Sequence, residues 1–437
     1  MKLPLILSFF LLIFNVNAQE ILSYEEAIKI SLENTYSIKI ARSNQKIAEN
    51  NNTPGNAGML PTVTGNINKN YSINGLTIQP FDATFPTIER SNVKNNNGGT
   101  GINAVWTLYD GLGMFIARDR LRELQKTTVT QLESTLENSI AQVSIAYYDI
   151  IRQSRRVKNL KQGLDISNDR LKLSRDRYEV GQGSKVDFLS AQVDFNEDRA
   201  ALIAQEQALE SSKININSLL IRDLQTEFNT LDTIVFDKNL SLEILRAATL
   251  KQNPALILAE QNKRLAEFDL KLQKAAQYPQ IDLLTGYNYN SNNTGVGQPQ
   301  ATKSLQSFAF NYGLRASINI FDGYNQKQRI KNAKIGQEIA NYQEGDLRNQ
   351  LNTALERTFL SYKNSLELIK LETENYKIAS QNIDIAFERY KVGNSTAYEL
   401  REVQRNAVAA ETRLIESEFN AKITEIELLR LSSKILD

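Results

Sequence analysis

The chain has no cysteine and no histidine among its 437 residues. That removes thiol nucleophiles, imidazole bases and the usual zinc ligands at one stroke, and it leaves the redox compartment open. Charge of one sign is missing too: 51 basic side chains face 50 acidic ones. No footprint for nucleic acid or an anionic membrane surface results. Proline is scarce, with eight in all and none after Pro299. Between Leu112 and Tyr178 there is no proline and, past Gly113 at its start, only one glycine, Gly163, so nothing there breaks a helix. Beyond the first residues no apolar run is long enough to span a bilayer as a helix. If the mature chain enters a membrane, strands must do it.

The first residues have a different character. Met1-Lys2, an apolar run from Leu3 to Phe14 and a small residue at Ala18 read as a secretory signal over residues 1–18, cleaved after Ala18. The run is too short for a transmembrane helix, and no cysteine nearby offers an acyl anchor.

What is present is present twice. Arg177-Tyr178-Glu179-Val180-Gly181 returns 212 positions later as Arg389-Tyr390-Lys391-Val392-Gly393. Tyr109-Asp110-Gly111 returns at the same offset as Phe321-Asp322-Gly323. Between these markers Ile150, Val157, Leu164, Leu171 and Tyr178 recur every seventh position, and their counterparts Tyr362, Ile369, Tyr376, Ile383 and Tyr390 are apolar or aromatic as well. A fixed offset over such a span indicates internal duplication. The seven-residue period predicts long helices packed along a continuous seam.

The first repeat is read as residues 19–239, with a helix over 23–50, two strands within 60–110 and a long helical hairpin over 112–221. The second is read as 240–437, with a helix over 241–277, two strands within 279–322 and a hairpin over 323–436. Ser23 followed by Glu26 is a capping-box start for the first helix. The 112–178 helix extends roughly 100 Å at about 1.5 Å per residue. Strand faces alternate: Val63, Ile67, Tyr71 and Ile73 against Thr62, Thr64, Asn66 and Asn68, and later Phe308, Phe310, Tyr312 and Leu314 against Ala309, Asn311, Gly313 and Arg315. Asn-rich stretches, Asn74–Gly99 and the counterpart after Tyr289, are read as loops.

An apolar face and a polar face suit strands of a transmembrane barrel with a wet lumen. Only a closed barrel satisfies every strand backbone group in lipid, and four strands cannot close. Several chains must therefore share one barrel. Two would give eight strands with a filled interior, and three would give twelve with a lumen.

This order of elements resembles the TolC-type outer membrane efflux proteins: signal, helix, Leu60-Pro61 or Tyr278-Pro279, strand, polar loop, strand, Asp-Gly, long helix and an Arg-Tyr-x-x-Gly turn, all repeated. The resemblance covers essentially all of the mature chain. Asp187-Phe188-Leu189-Ser190-Ala191-Gln192 follows the family's pattern after the first turn. Glu399-Leu400-Arg401-Glu402-Val403-Gln404 follows it more loosely after the second, with Glu399 where the family usually has Asp. Asn51–Gly58 departs from the Ala-rich helix expected before the proline. The resemblance implies a mainly α fold with a small transmembrane β part, closed as a 12-strand barrel and a long α-helical barrel in a homotrimer. It implies a place in the outer membrane, with the helices in the periplasm, and a periplasmic adaptor and an inner-membrane transporter as partners. It implies that the tips around Arg177, Tyr178, Val180, Gly181, Arg389, Tyr390, Val392 and Gly393 dock the adaptor. It also implies that Glu399 and Glu402, three apart on one helix face, form a pore constriction.

The function expected is a passive exit duct for efflux or type I secretion, with a self-contained diffusion porin as the alternative. A porin needs no helices of this length. Acidic pairs such as Asp165 with Asp169 or Glu372 with Glu374 fit a solvated helix face. With no phosphate-binding glycine loop, metal-ligand cluster or nucleophile elbow, neither enzyme activity nor a cofactor is expected. A cytosolic coiled-coil scaffold requires that the signal be misread.

Overall fold

A computed structural model describes residues 20–82, 84–294 and 304–436. The signal assigned to residues 1–18 and most of the loop after Tyr289 lie outside them. The elements run β1 (Glu20–Ile21), α1 (Tyr24–Asn34), α2 (Tyr36–Asn51), β2 (Thr62–Ile78), β3 (Ile88–Tyr109), α3 (Gly113–Glu179), α4 (Lys185–Leu219) and β4 (Phe228–Asn229). They continue with α5 (Leu242–Gln252), α6 (Pro254–Ala275), β5 (Gln280–Thr294), β6 (Ser304–Ser317), α7 (Asn325–Lys391) and α8 (Ala397–Leu431). Duplication is visible in the lengths: α3 and α7 each have 67 residues, and α4 and α8 each have 35. No described helix is long and apolar enough to cross a membrane.

Two compact units result, and they cut across the repeats. One lies within Met1–Ala41, Leu132–Ala255 and Arg348–Asp437, the other within Arg42–Gln131 and Leu256–Leu347.

The second unit holds a four-stranded antiparallel sheet in the order β2-β3-β5-β6. Its register aligns the alternation of all four strands. Gly65, Ile102, Tyr287 and Phe310 fall in one row, and Thr64, Asn103, Gly286 and Asn311 fall in a row on the opposite face. One face is therefore rich in Ile, Leu, Tyr and Phe, and Ile67, Tyr71, Phe308, Phe310, Tyr312 and Leu314 stand exposed on it. The other face carries an amide ladder, in which Asn103 donates to Asn66 (2.9 Å) and Asn288 to Asn103 (3.3 Å). The ladder needs Gly101 and Gly286, because a Cβ there would lie 2.0 Å and 2.3 Å from the Asn288 and Asn103 amide oxygens. Below it, Thr107 donates to Asp282 (3.0 Å) and Arg315 pairs with Asp282 (2.8 Å), tying β3, β5 and β6 together.

The strands are longer than the sequence suggested. Asn74–Gly99 is mostly strand rather than loop, since Asn95, Asn96 and Asn97 pair with Ser72, Tyr71 and Asn70. Low strand propensity is overridden where both neighbours of β3 supply ladder partners. At the other end β6 stops at Ser317, short of Ile318 and Ile320.

In the helical unit the first helix is two helices. Ser23 caps α1 by accepting from the Glu26 N–H (3.1 Å), and the chain breaks at Thr35, whose hydroxyl is engaged with Ser31 and the Leu219 carbonyl. The 241–277 helix breaks as well, at Asn253. Pro254 disfavours helical backbone in the residue before it, and the Asn253 side chain accepts from the Ala255 N–H (3.0 Å) to start α6. The residues after α4 include a short parallel pairing, Glu20–Ile21 with Phe228–Asn229.

Within this unit α3 and α8 lie side by side. Arg152 pairs with Glu416 (3.1 Å), and the Asn159 amide donates to the Val408 carbonyl (3.0 Å). The α4 helix joins α3 through Gln205 to Gln153 (2.6 Å) and Ser212 to Asp149 (2.6 Å). The α7 helix joins α8 through Glu372 and Arg413 (3.1 Å). A core of Leu22, Tyr147, Ile150, Ile151, Ile216, Phe228 and Phe419 fills one end.

Candidate functional site at the hairpin tips

Both tips use one device. The α3–α4 reversal places Gly181 at φ 75° and the α7–α8 reversal places Gly393 at φ 82°. In each, the next N–H reaches back to the arginine of the motif: Gln182 to the Arg177 carbonyl (2.7 Å) and Asn394 to the Arg389 carbonyl (2.8 Å). This is a left-handed helix stop, for which glycine is the residue without a steric penalty. A Cβ on either glycine would meet nothing within 4 Å. Within this chain the conformation, not close approach, therefore calls for glycine. Ser184 and Thr396 then start the return helices by accepting from the Val186 and Glu399 N–H groups, each at 3.1 Å.

Arg177 and Arg389 occupy equivalent positions and make different contacts. The Arg177 guanidinium crosses to the other tip, donates to the carbonyls of Tyr390 (2.8 Å) and Lys391 (3.1 Å), and lies 4.9 Å over the Tyr390 ring. It neutralises carbonyls at the negative end of α7. Arg389 folds onto its own turn, donating to the Asn394 carbonyl (3.1 Å) and pairing with Glu399 (3.4 Å). Tyr390 is buried in a small core with Ile383, Ala386 and Leu400, against which Ile166 and Leu173 of α3 pack. Burial raises the Tyr390 phenol pKa, while the Arg177 and Arg170 charges pull it down. Tyr178 instead stacks on Phe188, with ring centroids 6.0 Å apart.

Glu399 and Glu402 both stand exposed on the first turns of α8. Glu399 is engaged by Arg389, and Glu402 accepts from Asn406 (3.4 Å). Val180 and Val392 are exposed at the two turns. One member of each acidic pair weighed for catalysis is held in an ion pair, Asp169 with Lys172 (3.6 Å) and Glu372 with Arg413 (3.1 Å).

Behind the tips lies a cluster the sequence did not disclose. Arg401 pairs with Asp198 (2.6 Å), Glu197 (3.1 Å) and Asp194 (3.7 Å) on α4, and buried Arg170 of α3 holds Asp194 from the other side. Gln404 donates to the Gly163 carbonyl and to Ser167, each at 2.7 Å. Burial disfavours the Arg401 charge, but Asp198, Asp194 and Glu197 outweigh it and raise its pKa. The group fastens α8 to both α3 and α4. Its only sequence signal is charge at positions flanking the apolar seam, and that does not specify partners some 200 residues away.

A family model described as outer membrane efflux protein matches residues 27–220 and 245–433, one segment in each repeat. Over 289 residues the chain is 22% identical to outer membrane protein TolC of Vibrio cholerae serotype O1, covering 65% of this chain and 61% of that protein. The matched stretch thus spans less than two thirds of that relative. It is 20% identical over 366 residues to the proteases secretion protein PrtF of Dickeya chrysanthemi, covering 78% and 72%. Among solved structures, the outer membrane protein VceC of Vibrio cholerae superposes with TM-score 0.76 at 14% identity, covering 94% of this chain and 95% of that one. The outer-membrane channel OprN superposes with TM-score 0.77 at 16% identity, covering 94% and 90%.

Proposed function

The chain belongs to the outer membrane efflux protein family, and from that premise we propose that it is the outer membrane exit duct of a tripartite efflux or type I secretion system. That family is one of outer membrane channels, not of enzymes. The observation that carries the reading is the sheet. Four aligned strands present one apolar and one polar face, while among the described residues β2 and β6 each have a strand neighbour on one side only. In lipid those open edges leave backbone groups unsatisfied, so copies must join edge to edge until the sheet closes. Three copies give twelve strands with a lumen. The two long hairpins then supply a helical wall in the periplasm.

In this reading the tips at Val180, Gly181, Val392 and Gly393 meet a periplasmic adaptor, which links the duct to an inner-membrane transporter. Glu399 and Glu402 of three chains form a ring of six carboxylates at the constriction, which favours cations and binds multivalent ones. Substrate selection rests with the transporter, because the wall of a duct recognises little.

The test is transport in cells and in liposomes. Deleting the chain should abolish export driven by its transporter, while the purified protein in liposomes should pass small solutes slowly. Rapid solute passage by the purified protein, together with intact export in the deletion strain, would favour a diffusion porin.

A further inference from the structure

Where the sheet passes into the long helices, each residue of the first repeat has a twin 212 positions later. Asp110 lies in the turn between β3 and α3, and its twin Asp322 lies in the turn between β6 and α7. The Asp322 carboxylate accepts from the Gln326 N–H (2.7 Å) and pairs with Arg329 (3.3 Å). The positions equivalent to Gln326 and Arg329 hold Met114 and Ala117. Asp110 makes neither contact, and its Oδ1 is buried without a hydrogen-bond partner. Its carboxylate lies over the first turn of α3, where a Cβ on Gly113 would come within 2.8 Å of Oδ2. A helix start does not use up such a group, since Asp322 takes an N–H of α7 and an arginine together. Cations on the first turns of α3 are engaged elsewhere, Arg118 with the Asn52 amide oxygen and Arg120 with Asp269 (2.7 Å).

Beside Ala117, where the second repeat carries Arg329, the first has a cavity of about 360 Å³ walled by Ala57, Met114, Ala117, Leu272 and Tyr278, with Asp110 facing it. None of the residues lining it is cationic, and the Gln280 amide that also faces it donates to Asp282 (2.9 Å). A carboxylate oxygen set in an apolar wall without a donor costs free energy, which a bound cation bringing its own N–H groups recovers. We propose that this cavity binds a small organic cation carrying a guanidinium or amidinium group, which donates to Asp110 as Arg329 does to Asp322 while its apolar part lies against Met114 and Leu272. A planar nitrogen fork matches a carboxylate better than a point charge does. The exposed Tyr278 ring offers an aromatic face to the same cation. The negative end of α6 adds to the preference, because its Ala275 carbonyl would lie 2.4 Å from a Cβ on Gly111, across the turn from Asp110. A divalent metal ion fits poorly: it needs several oxygen ligands, and among the described residues no group of three acidic side chains could hold one. The inference goes beyond the duct reading and does not depend on it, since every lining residue comes from one chain.

Benzamidine is the probe, and benzamide is its neutral analogue of the same shape. Calorimetric titration of the mature protein in mild detergent should show saturable benzamidine binding, with benzamide weaker by about tenfold or more. Asp110→Asn should weaken benzamidine by a similar factor. Ala117→Arg rebuilds the second repeat's arrangement inside the cavity, so it should abolish binding and raise the thermal midpoint. That variant keeps Asp110 and its turn, and it decides the matter if Asp110→Asn does not fold. Equal binding of benzamidine and benzamide, benzamidine binding that survives Ala117→Arg, or no binding to the wild type each overturns the proposal. Native mass spectrometry of the same samples reports the number of chains separately. An assembly of three chains that ignores benzamidine overturns the cation site and leaves the duct standing, whereas a lone chain that binds it supports the site and overturns the duct.

Discussion

Replacing Gly393 by asparagine and by alanine separates the two reasons a glycine can sit at a tip. At φ 82° with no atom within 4 Å of an added Cβ, a side chain would meet backbone strain and no clash. Alanine in the left-handed region costs about 1 kcal/mol, and asparagine, which visits that region routinely, costs a small part of it. A loss of about 1 kcal/mol corresponds to roughly a fivefold rise in local opening of the turn. Hydrogen exchange of the Gly393 and Asn394 amides, which donate to Tyr390 and Arg389 at 3.1 Å and 2.8 Å, reads that opening directly. Gly393→Ala should therefore exchange about five times faster there, and Gly393→Asn within about twofold of the native rate. Export separates the roles. If the tip docks another chain closely, Gly393→Asn should lose export while its turn stays protected. Native export from Gly393→Asn, with the turn intact, would refute docking at this glycine and leave it a turn residue only.

Three further outcomes follow from the same geometry. Arg401→Ala leaves three carboxylates without their shared cation. Orphaning a buried charge costs about 3–5 kcal/mol, but these acids keep solvent and Arg170 still holds Asp194, so the loss should be about 2 kcal/mol, read as a lower urea midpoint for the helical signal that Arg401→Lys partly restores. Burial raises the Glu425 pKa above its ordinary value of 4.5, partly offset by Lys422 and the Asp237 N–H. A raised carboxyl favours the fold fully below 4.5 and loses that contribution as pH climbs through the folded value, so Glu425→Gln should stabilise the chain at pH 8 and show no gain at pH 4. In planar bilayers a trivalent cation added from the periplasmic side should block the wild-type channel, and Glu399→Ala/Glu402→Ala should lose most of that block; equal block in both would place the constriction on other residues.

Much of the architecture was legible because long helices and half-buried strands write their periods into the chain. Ile150, Val157, Leu164 and Leu171 announce a seam whatever it packs against, and the alternation from Phe308 to Leu314 announces a two-faced strand. Strand ends were less legible: Asn95–Asn97 look like loop in isolation and become strand only because β2 and β5 offer ladder partners on both sides. The break at Asn253 could have been read from Pro254, whereas the break at Thr35 depends on contacts with Ser31 and Leu219 that local sequence does not encode. At the tips the motif located both turns and both arginines. It did not show that Arg177 reaches across to Tyr390 while Arg389 folds back on Glu399, because equivalent sequences meet different neighbours. The Arg401 cluster was invisible for the same reason. Its partners on α4 and α3 are brought together by packing alone.

In the proposed duct, one chain carries too few strands to close a barrel and three copies complete it. Native mass spectrometry of the mature protein, extracted from outer membranes in mild detergent, tests this most directly. The proposed duct predicts a single assembly of three chains with no folded monomer; a stable monomer or dimer under those conditions would contradict it.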